Sequence, residues 1–341
     1  GGIEAGGTKF VLVTGTPDQK IIARHSIPTT SPAETLARAA DWFRQQEAVE
    51  AIGIASFGPV DLNPASPTWG HIQQTPKSDW SHCDLAGYFA QQFGVPIGFD
   101  TDVNAAAIAE AQNQPADTCL AYITIGTGIG GGVVVNGAPI HGAAHPEMGH
   151  IYPRRPQNDR SFAGICPYHG DCLEGLASGP AILARWGKSL SDLPPDHDAH
   201  GVIGGYLAQL CHMIFATLSA HRVVLGGGVM QTPGLLELVR AQAARLDAAG
   251  PRRRPRLRLP YVLQLSAAGR ARRLRSRGPA RPRPDPAARG SGGGRPAHRL
   301  QQRDGRCRAH CGGGELEGEG VERDGGGGTR QAQSGAEIGR A

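Results

Sequence analysis

The chain has little of what several protein classes require. Seven cysteines in 341 residues make no disulfide framework at this size, so a reducing, cytoplasmic location is expected. No charged leader runs into an apolar segment, and no apolar stretch of about 18 residues is evident, so neither a signal peptide nor a membrane span is expected. From Ser266 onward lysine is absent, and Leu274, Leu300, Leu316, Val321 and Ile338 are the only large aliphatic side chains. The same 76 residues hold 16 Arg and 18 Gly. Such a segment buries too little surface to offset its chain entropy. Because Arg, Gly, Pro and Ala are what a GC-rich gene yields out of frame, the tail 266–341 reads as either disordered or frameshifted.

That tail also explains the charge. The formal net charge is +5, yet residues 266–341 carry 16 Arg against 8 acids, leaving 19 basic and 22 acidic residues in 1–265. The remainder is mildly acidic. The basic excess sits where there is no aromatic residue and no apolar periodicity, so no nucleic-acid partner is expected.

What is present is concentrated in the stretch 145–174, HPEMGHIYPRRPQNDRSFAGICPYHGDCLE. His150, Cys166, His169 and Cys172 supply two imidazoles and two thiolates, the last three separated by two residues each, a spacing that lets a short loop wrap tetrahedral zinc. Four protein ligands fill the coordination sphere, so the ion is expected to be structural. Glu147 and Glu174 flank the knuckle, where a fixed loop sets both carboxylates to accept hydrogen bonds from a polyol.

Elsewhere the patterning is α/β. Lys9–Thr14, Ile52–Ala55 and Val95–Phe99 read as strands. Residues 31–43, SPAETLARAADWF, read as a helix with Ser31 as N-cap, Pro32 first, Glu34 as capping-box partner, and Leu36, Ala39, Ala40 and Phe43 on one face. GTGIGG at 126–131 satisfies Gly-x-Gly-x-x-Gly, but it lies between the strand CLAYITI at 119–125 and GVVVNG at 132–137. A dinucleotide or P-loop segment must instead open a helix, so a hairpin is expected. A similar strand, Gly-rich turn and strand begin the chain in GGIEAGGTKFVLVTG. Each turn can offer backbone N–H groups to phosphate oxygens, although either alone could be only a tight turn. Together, with a third Gly-rich turn at 226–228 after RVVL, they suggest a duplicated architecture with a nucleotide between the halves. Asp102, where a strand ends and a helix starts near Val103, is a candidate general base. On residue type alone it serves equally as a helix N-cap, and Asp100 is the weaker candidate base.

The segments GIEAGGTKF at 2–10, DTDVNAA at 100–106, GTGIGGG at 126–132, HPEMGH at 145–150, CPYHGDCLEGLASGPA at 166–181 and LGGGVM at 225–230, in this order, resemble the ROK family of sugar kinases, and within it the bacterial fructokinases. The resemblance covers about residues 1–265. It implies an α/β fold of two domains, actin-like and hexokinase-like (ribonuclease H-like), with a cleft between 1–115 and 116–265. It implies ATP-dependent phosphorylation of a hexose, with fructose converted to fructose 6-phosphate, Mg²⁺ as cofactor and a homodimeric assembly. It places Glu4, Gly6, Gly7, Thr8, Lys9, Thr127, Gly128 and Gly130 near the phosphates and Mg²⁺, and Gly226, Gly227 and Gly228 near the adenosine. Asp102 becomes the catalytic base, and Asn104, Glu147, His150 and Glu174 become sugar contacts, with His150 also a zinc ligand. Glu4 departs from the Asp of the wider family, which puts the geometry of Mg²⁺ in question, not its use. TPKSDW at 75–80 is similar to the fructokinase branch and is expected over the sugar pocket; on residues alone Lys77 is a solvated loop residue and Trp80 a core anchor. Glucose, mannose or an N-acetylhexosamine is the alternative acceptor. A sugar-responsive repressor would carry a winged-helix domain ahead of the first hairpin, and a non-catalytic, zinc-stabilised sugar-binding or regulatory protein would not need Asp102.

Overall fold

The computed structural model describes residues 1–18, 20–248 and 262–266. Apart from Ser266, the tail expected from 266 to 341, with Cys307 and Cys311, lies outside the described residues. The elements in chain order are β1 (Gly2–Ala5), β2 (Lys9–Gly15), β3 (Ile21–Pro28), α1 (Pro32–Arg44), β4 (Ile52–Ser56), α2 (Leu85–Phe93), β5 (Ile97–Thr101) and α3 (Asp102–Ala111). The second series is β6 (Cys119–Ile125), β7 (Ile129–Val135), β8 (Ala138–Pro139), α4 (Leu173–Ala177), α5 (Gly179–Trp186), α6 (Asp198–Leu218), β9 (Arg222–Gly226), α7 (Leu235–Ala248) and β10 (Val262–Leu265).

The strands form two five-stranded sheets, ordered β3-β2-β1-β4-β5 and β10-β9-β6-β7-β8. In the first, β1–β2 and β2–β3 are antiparallel, while β1–β4 and β4–β5 are parallel. In the second, β6–β7 and β7–β8 are antiparallel, while β6–β9 and β9–β10 are parallel. The two sheets thus repeat one topology, strand for strand, as the paired hairpins suggested.

Each sheet has its own core. Ile3, Phe10, Leu12, Ile52 and Ile54 pack with Leu36, Phe43, Leu85 and Phe89 from α1 and α2. Ile123, Ile125, Val133, Val223 and Leu225 pack with α6 and α7 through Tyr206, Leu207, Leu210, Ile214 and Val239. Between them, Ala107 of α3 joins Leu120, Val134 and Val224 on the second sheet. The helix that follows the last strand of the first sheet therefore packs on the second.

Local signals explain most elements. Ser31 caps α1, accepting from Glu34 N, and Thr35, Leu36, Ala39, Ala40 and Phe43 form its buried face. Glu34 differs from expectation: its carboxylate takes the Thr30 hydroxyl at 2.7 Å, rather than returning to the N–H of Ser31 as in a capping box. The Asn136-Gly137 turn has φ of 51° and 78°, which is the two-residue hairpin conformation that Asn-Gly favours. α6 corrects the expectation that no apolar stretch of about 18 residues exists. Its 21 residues are long and apolar enough to cross a membrane, but Ile203, Tyr206, Leu207, Leu210, Cys211 and Ile214 are buried in the protein, so it is the central helix of the second core. Among the described residues Cys83, Cys119, Cys166, Cys172 and Cys211 are all free thiols.

Candidate active site

The parallel strands of the first sheet place three carboxylates at one edge. Glu4 on β1 is in register with Ala55 on β4, and Ala55 with Asp100 on β5, so the ends of these strands carry Glu4 and Asp100 in one row, with Asp102 just beyond. Ligands in open α/β sheets bind outside the carboxyl ends of the strands.

Asp102 is not the helix cap. Thr101 is the N-cap of α3, its hydroxyl accepting from Asn104 N at 3.1 Å. The Asp102 carboxylate accepts only locally, from Val103 N at 2.8 Å, and its side chain reaches solvent. It is nevertheless hemmed in by protein, and desolvation raises its pKa above 3.8; the charge of Glu4 raises it further, while the Val103 N–H and the charge of His145 pull it down. Such a carboxyl is a better proton acceptor than an ordinary aspartate. Asp100 is committed elsewhere. It accepts from Thr101 N at 2.7 Å and Asn104 Nδ2 at 2.7 Å, and lies 3.0 Å from His141 Nε2. Asn104 has no exposed surface, so any part it has in sugar binding runs through Asp100 and His141.

The first hairpin turns tightly, with Gly6 N donating to Lys9 O at 3.1 Å. Thr29 braces it, through its hydroxyl to Gly6 O at 2.7 Å and its N–H to Thr8 O at 2.9 Å. The second turn runs over Gly126–Gly128, where Gly126 N donates to Gly128 O at 2.9 Å, so the hairpin reading of GTGIGG holds. Ile129 N donates to the Glu174 carboxylate at 2.8 Å, and a Cβ on Gly128 would stand 2.6 Å from the same oxygen. Glu174, expected as a sugar contact, thus reaches the second Gly-rich turn from α4. Val103, next to Asp102, lies against Gly130, which sets Asp102 beside the second hairpin.

The third turn follows β9. Gly227 has φ of +88°, and a Cβ there would strike the backbone of Ile125, so no other residue fits the position without strain. Gly126, Thr127, Gly179, Pro180, Ile182, Ser189, Leu190, Gly228, Val229 and Thr232 line a cavity of about 430 Å³. It has an apolar wall and a few hydroxyls beside two Gly-rich turns, which suits a nucleobase and ribose. Pro180, Ile182, Ser189, Leu190 and Thr232 were not legible as site residues, because apolar and hydroxyl side chains in loops carry no distinctive spacing.

The expected metal ligands also converge. The ligand atoms of His150, Cys166, His169 and Cys172 all lie within 4.8 Å of one another. His150 Nδ1 is 3.4 Å from Cys172 Sγ and 3.8 Å from Cys166 Sγ, and His169 Nδ1 is 3.8 Å from Cys166 Sγ. Zinc bonds of about 2.3 Å to sulfur and about 2.0–2.1 Å to nitrogen in a tetrahedron separate such donors by roughly 3.6 Å, so this donor set fits. Burial pushes the Cys172 thiol up to about 11, with Cys166 adding to the shift; a cation between them offsets the cost of two thiolates. With Nδ1 turned to the sulfurs, the Nε2 of His150 faces Glu147 at 3.9 Å. His145, missed in the sequence because its role rests on a contact 43 positions back, stands 3.4 Å from Glu147 Oε1 and within the field of Asp102.

The family model that matches is the ROK family, over residues 1–268. The chain is 46% identical over 256 residues to a fructokinase of Zymomonas mobilis subsp. mobilis, covering 72% of this chain and 85% of the relative. It is 43% identical over 242 residues to a fructokinase of Lactococcus lactis subsp. cremoris, covering 71% and 83%. Among solved structures, a ROK hexokinase from Thermus thermophilus superposes with a TM-score of 0.62 at 23% identity, over 77% of this chain and 91% of that one. The duplicated sheets are those of the two-domain, actin-like ATPase class. The chain belongs to the ROK family. It is a sugar kinase of that family.

Proposed function

We propose that the protein phosphorylates D-fructose on its 6-hydroxyl at the expense of ATP. The single observation that carries this reading is the placement of Asp102, freed from capping by Thr101, beside the second Gly-rich hairpin, where Val103 lies against Gly130, and within the field of Glu4 on the strand that enters the first. Fructose as acceptor is supported by the fructokinases that the chain resembles at over 40% identity.

In this reading the nucleoside sits in the cavity beside Gly226, Gly227 and Gly228, and the phosphates face Gly6, Gly7, Thr8, Lys9, Thr127, Gly128 and Gly130. Asp102 takes the proton of the 6-hydroxyl as the sugar oxygen bonds to the γ-phosphorus, the bond to the β-phosphate oxygen breaks, and ADP leaves. Glu4, in line with Asp100 and felt by Asp102, would hold Mg²⁺, which supplies neutralisation of phosphate charge. Glu147 and His150 bind sugar hydroxyls; Glu174 serves the sugar side from the second Gly-rich turn, and Asn104 supports it from behind. Zinc on His150, Cys166, His169 and Cys172 is structural and orients His150 toward Glu147. Residues 1–115 and 116–265 act as two domains closing on the cleft, in a cytoplasmic homodimer whose size light scattering checks.

A coupled assay of fructose, glucose, mannose and N-acetylhexosamines with Mg-ATP tests the reading. Turnover of fructose is expected to exceed that of the others in kcat/KM by about tenfold or more. Preference for another sugar reassigns the acceptor, and no turnover of any sugar removes the kinase reading.

A further inference from the structure

Only four lysines occur in the chain, Lys9, Lys20, Lys77 and Lys188. Lys77, in the TPKSDW segment, is half-buried. Its Cε would stand 3.9 Å from a Cβ on Gly7, at the tip of the first phosphate hairpin. The ammonium makes no salt bridge among the described residues, so no carboxylate ion pair neutralises its charge beside the turn.

The placement is built, not incidental. Trp80 N donates to Lys77 O at 2.9 Å, and the hydroxyl of Ser81 closes the turn on both Thr75 N and Thr75 O, at 3.1 and 3.3 Å. Trp80 is 1% exposed, packs on Phe10 of β2 and on Phe57 at ring distances of 5.4 and 5.8 Å, and donates from Nε1 to Thr30 O at 2.8 Å. Thr29, the next residue back, holds Gly6 and Thr8 of the hairpin. One short piece of backbone therefore fixes both the glycine turn and the base of the lysine, and the separation between them is set by the fold. An ammonium is a point charge that suits phosphate oxygens, and the transferring phosphoryl group spreads its charge over three such oxygens.

We propose that Lys77 is a catalytic residue of the phosphoryl transfer: its ammonium binds the γ-phosphoryl group over the first hairpin and stabilises it as it passes to the sugar. Lys77 is thus the cation opposite Asp102, and the TPKSDW segment serves the phosphate as well as covering the sugar. This inference rests on the kinase reading, and assay of the unaltered full-length chain checks that reading first.

Lys77→Met and Lys77→Arg are compared with the parent in two measurements. In steady state with fructose, Lys77→Met is expected to lose about 10²-fold in kcat, with the KM for fructose within about threefold. Lys77→Arg, which keeps the charge but spreads it over a longer, planar head, is expected to fall between. In calorimetric titration with Mg²⁺ present, the parent is expected to bind a non-hydrolysable ATP analogue more tightly than ADP, and Lys77→Met to lose that preference while binding ADP as the parent does. A residue that only props the loop would shift both nucleotides together. Equal shifts in the two nucleotides, no shift in either, or turnover of Lys77→Met within threefold of the parent overturns the proposal. An inactive parent would instead overturn the kinase reading, while the nucleotide titration would still decide the role of Lys77.

Discussion

Thr101 and Asp102 stand side by side, and capping, which either could perform, falls to the threonine. Because the threonine hydroxyl takes the Asn104 N–H, the Asp102 carboxylate is not needed as the cap of α3. Asp102→Asn should therefore lose about 10²-fold or more in turnover while keeping its fructose affinity; turnover within threefold of the parent would show that another group is the base. The raised pKa of Asp102 also sets the pH dependence. The base must be ionised, so the acid limb of kcat/KM should lie above the ordinary aspartate range, and a limb at or below 3.8 would contradict the desolvated site. For stability the sign is opposite. A carboxyl whose pKa is higher folded than unfolded contributes stability that is full below the unfolded value and is lost as pH rises through the folded one. At neutral pH Asp102 is thus a cost to the fold, and Asp102→Asn should melt at or above the parent's temperature, the difference closing in acid. Residue types and spacing singled out Asp102 as a candidate, and likewise His150, Cys166, His169 and Cys172, whose donor atoms the fold gathers within 4.8 Å. They did not show whether Asp102 caps the helix, because Asp suits a cap as well as a base, and the Thr101 hydroxyl takes the cap.

The elements around the metal knuckle are tied to α6 by a polar network that sequence patterning could not reveal. Arg185 on α5 pairs with Asp159 at 2.8 Å, with side chains 8% and 5% exposed, and the Tyr206 hydroxyl also bonds Asp159. Arg155 reaches Asp171 at 3.1 Å as well as the carbonyls of Asp159 and Phe162. The guanidinium of Arg185 lies 4.1 Å from the ring centre of Phe162 and 4.6 Å from that of Trp186. Removing one partner of a buried pair leaves a charge uncompensated and costs about 3–5 kcal/mol, so Asp159→Asn should lower the urea midpoint strongly; a change below about 1 kcal/mol would mean the network contributes little. These residues are scattered over 50 positions, and nothing in a run such as PRRPQNDRSF marks which charges are buried. The metal knuckle was legible because its ligands lie close in sequence. One zinc per chain is expected by elemental analysis of the purified protein, and Cys166→Ser should lose both the metal and much of the sugar affinity. A parent free of zinc, or a variant that keeps metal and affinity, would remove the structural-zinc assignment.

At the scale of the molecule, one five-stranded pattern occurs twice, and α3 crosses from the first occurrence to the second. The glycine hairpins gave this away, since two strand-turn-strand segments about 120 residues apart imply a repeat. The parallel strands β4, β5, β9 and β10 were less visible as partners, because a short apolar run does not say which neighbour it joins. α6 escaped for a related reason: three glycines and scattered polar residues break its apolar surface in sequence, although its buried positions form one core. The repeat matters because each sheet delivers one glycine turn, and in the proposed reading a nucleotide between the turns sets its terminal phosphate next to Asp102. The central claim is that this arrangement moves phosphate from ATP to the sugar 6-hydroxyl. Phosphorus NMR of the full-length chain with Mg-ATP and fructose follows it directly. The expected result is a phosphate ester on carbon 6 of fructose that grows in step with ADP and does not form with Asp102→Asn; ADP formed without that ester, or an ester made equally well by Asp102→Asn, would contradict it.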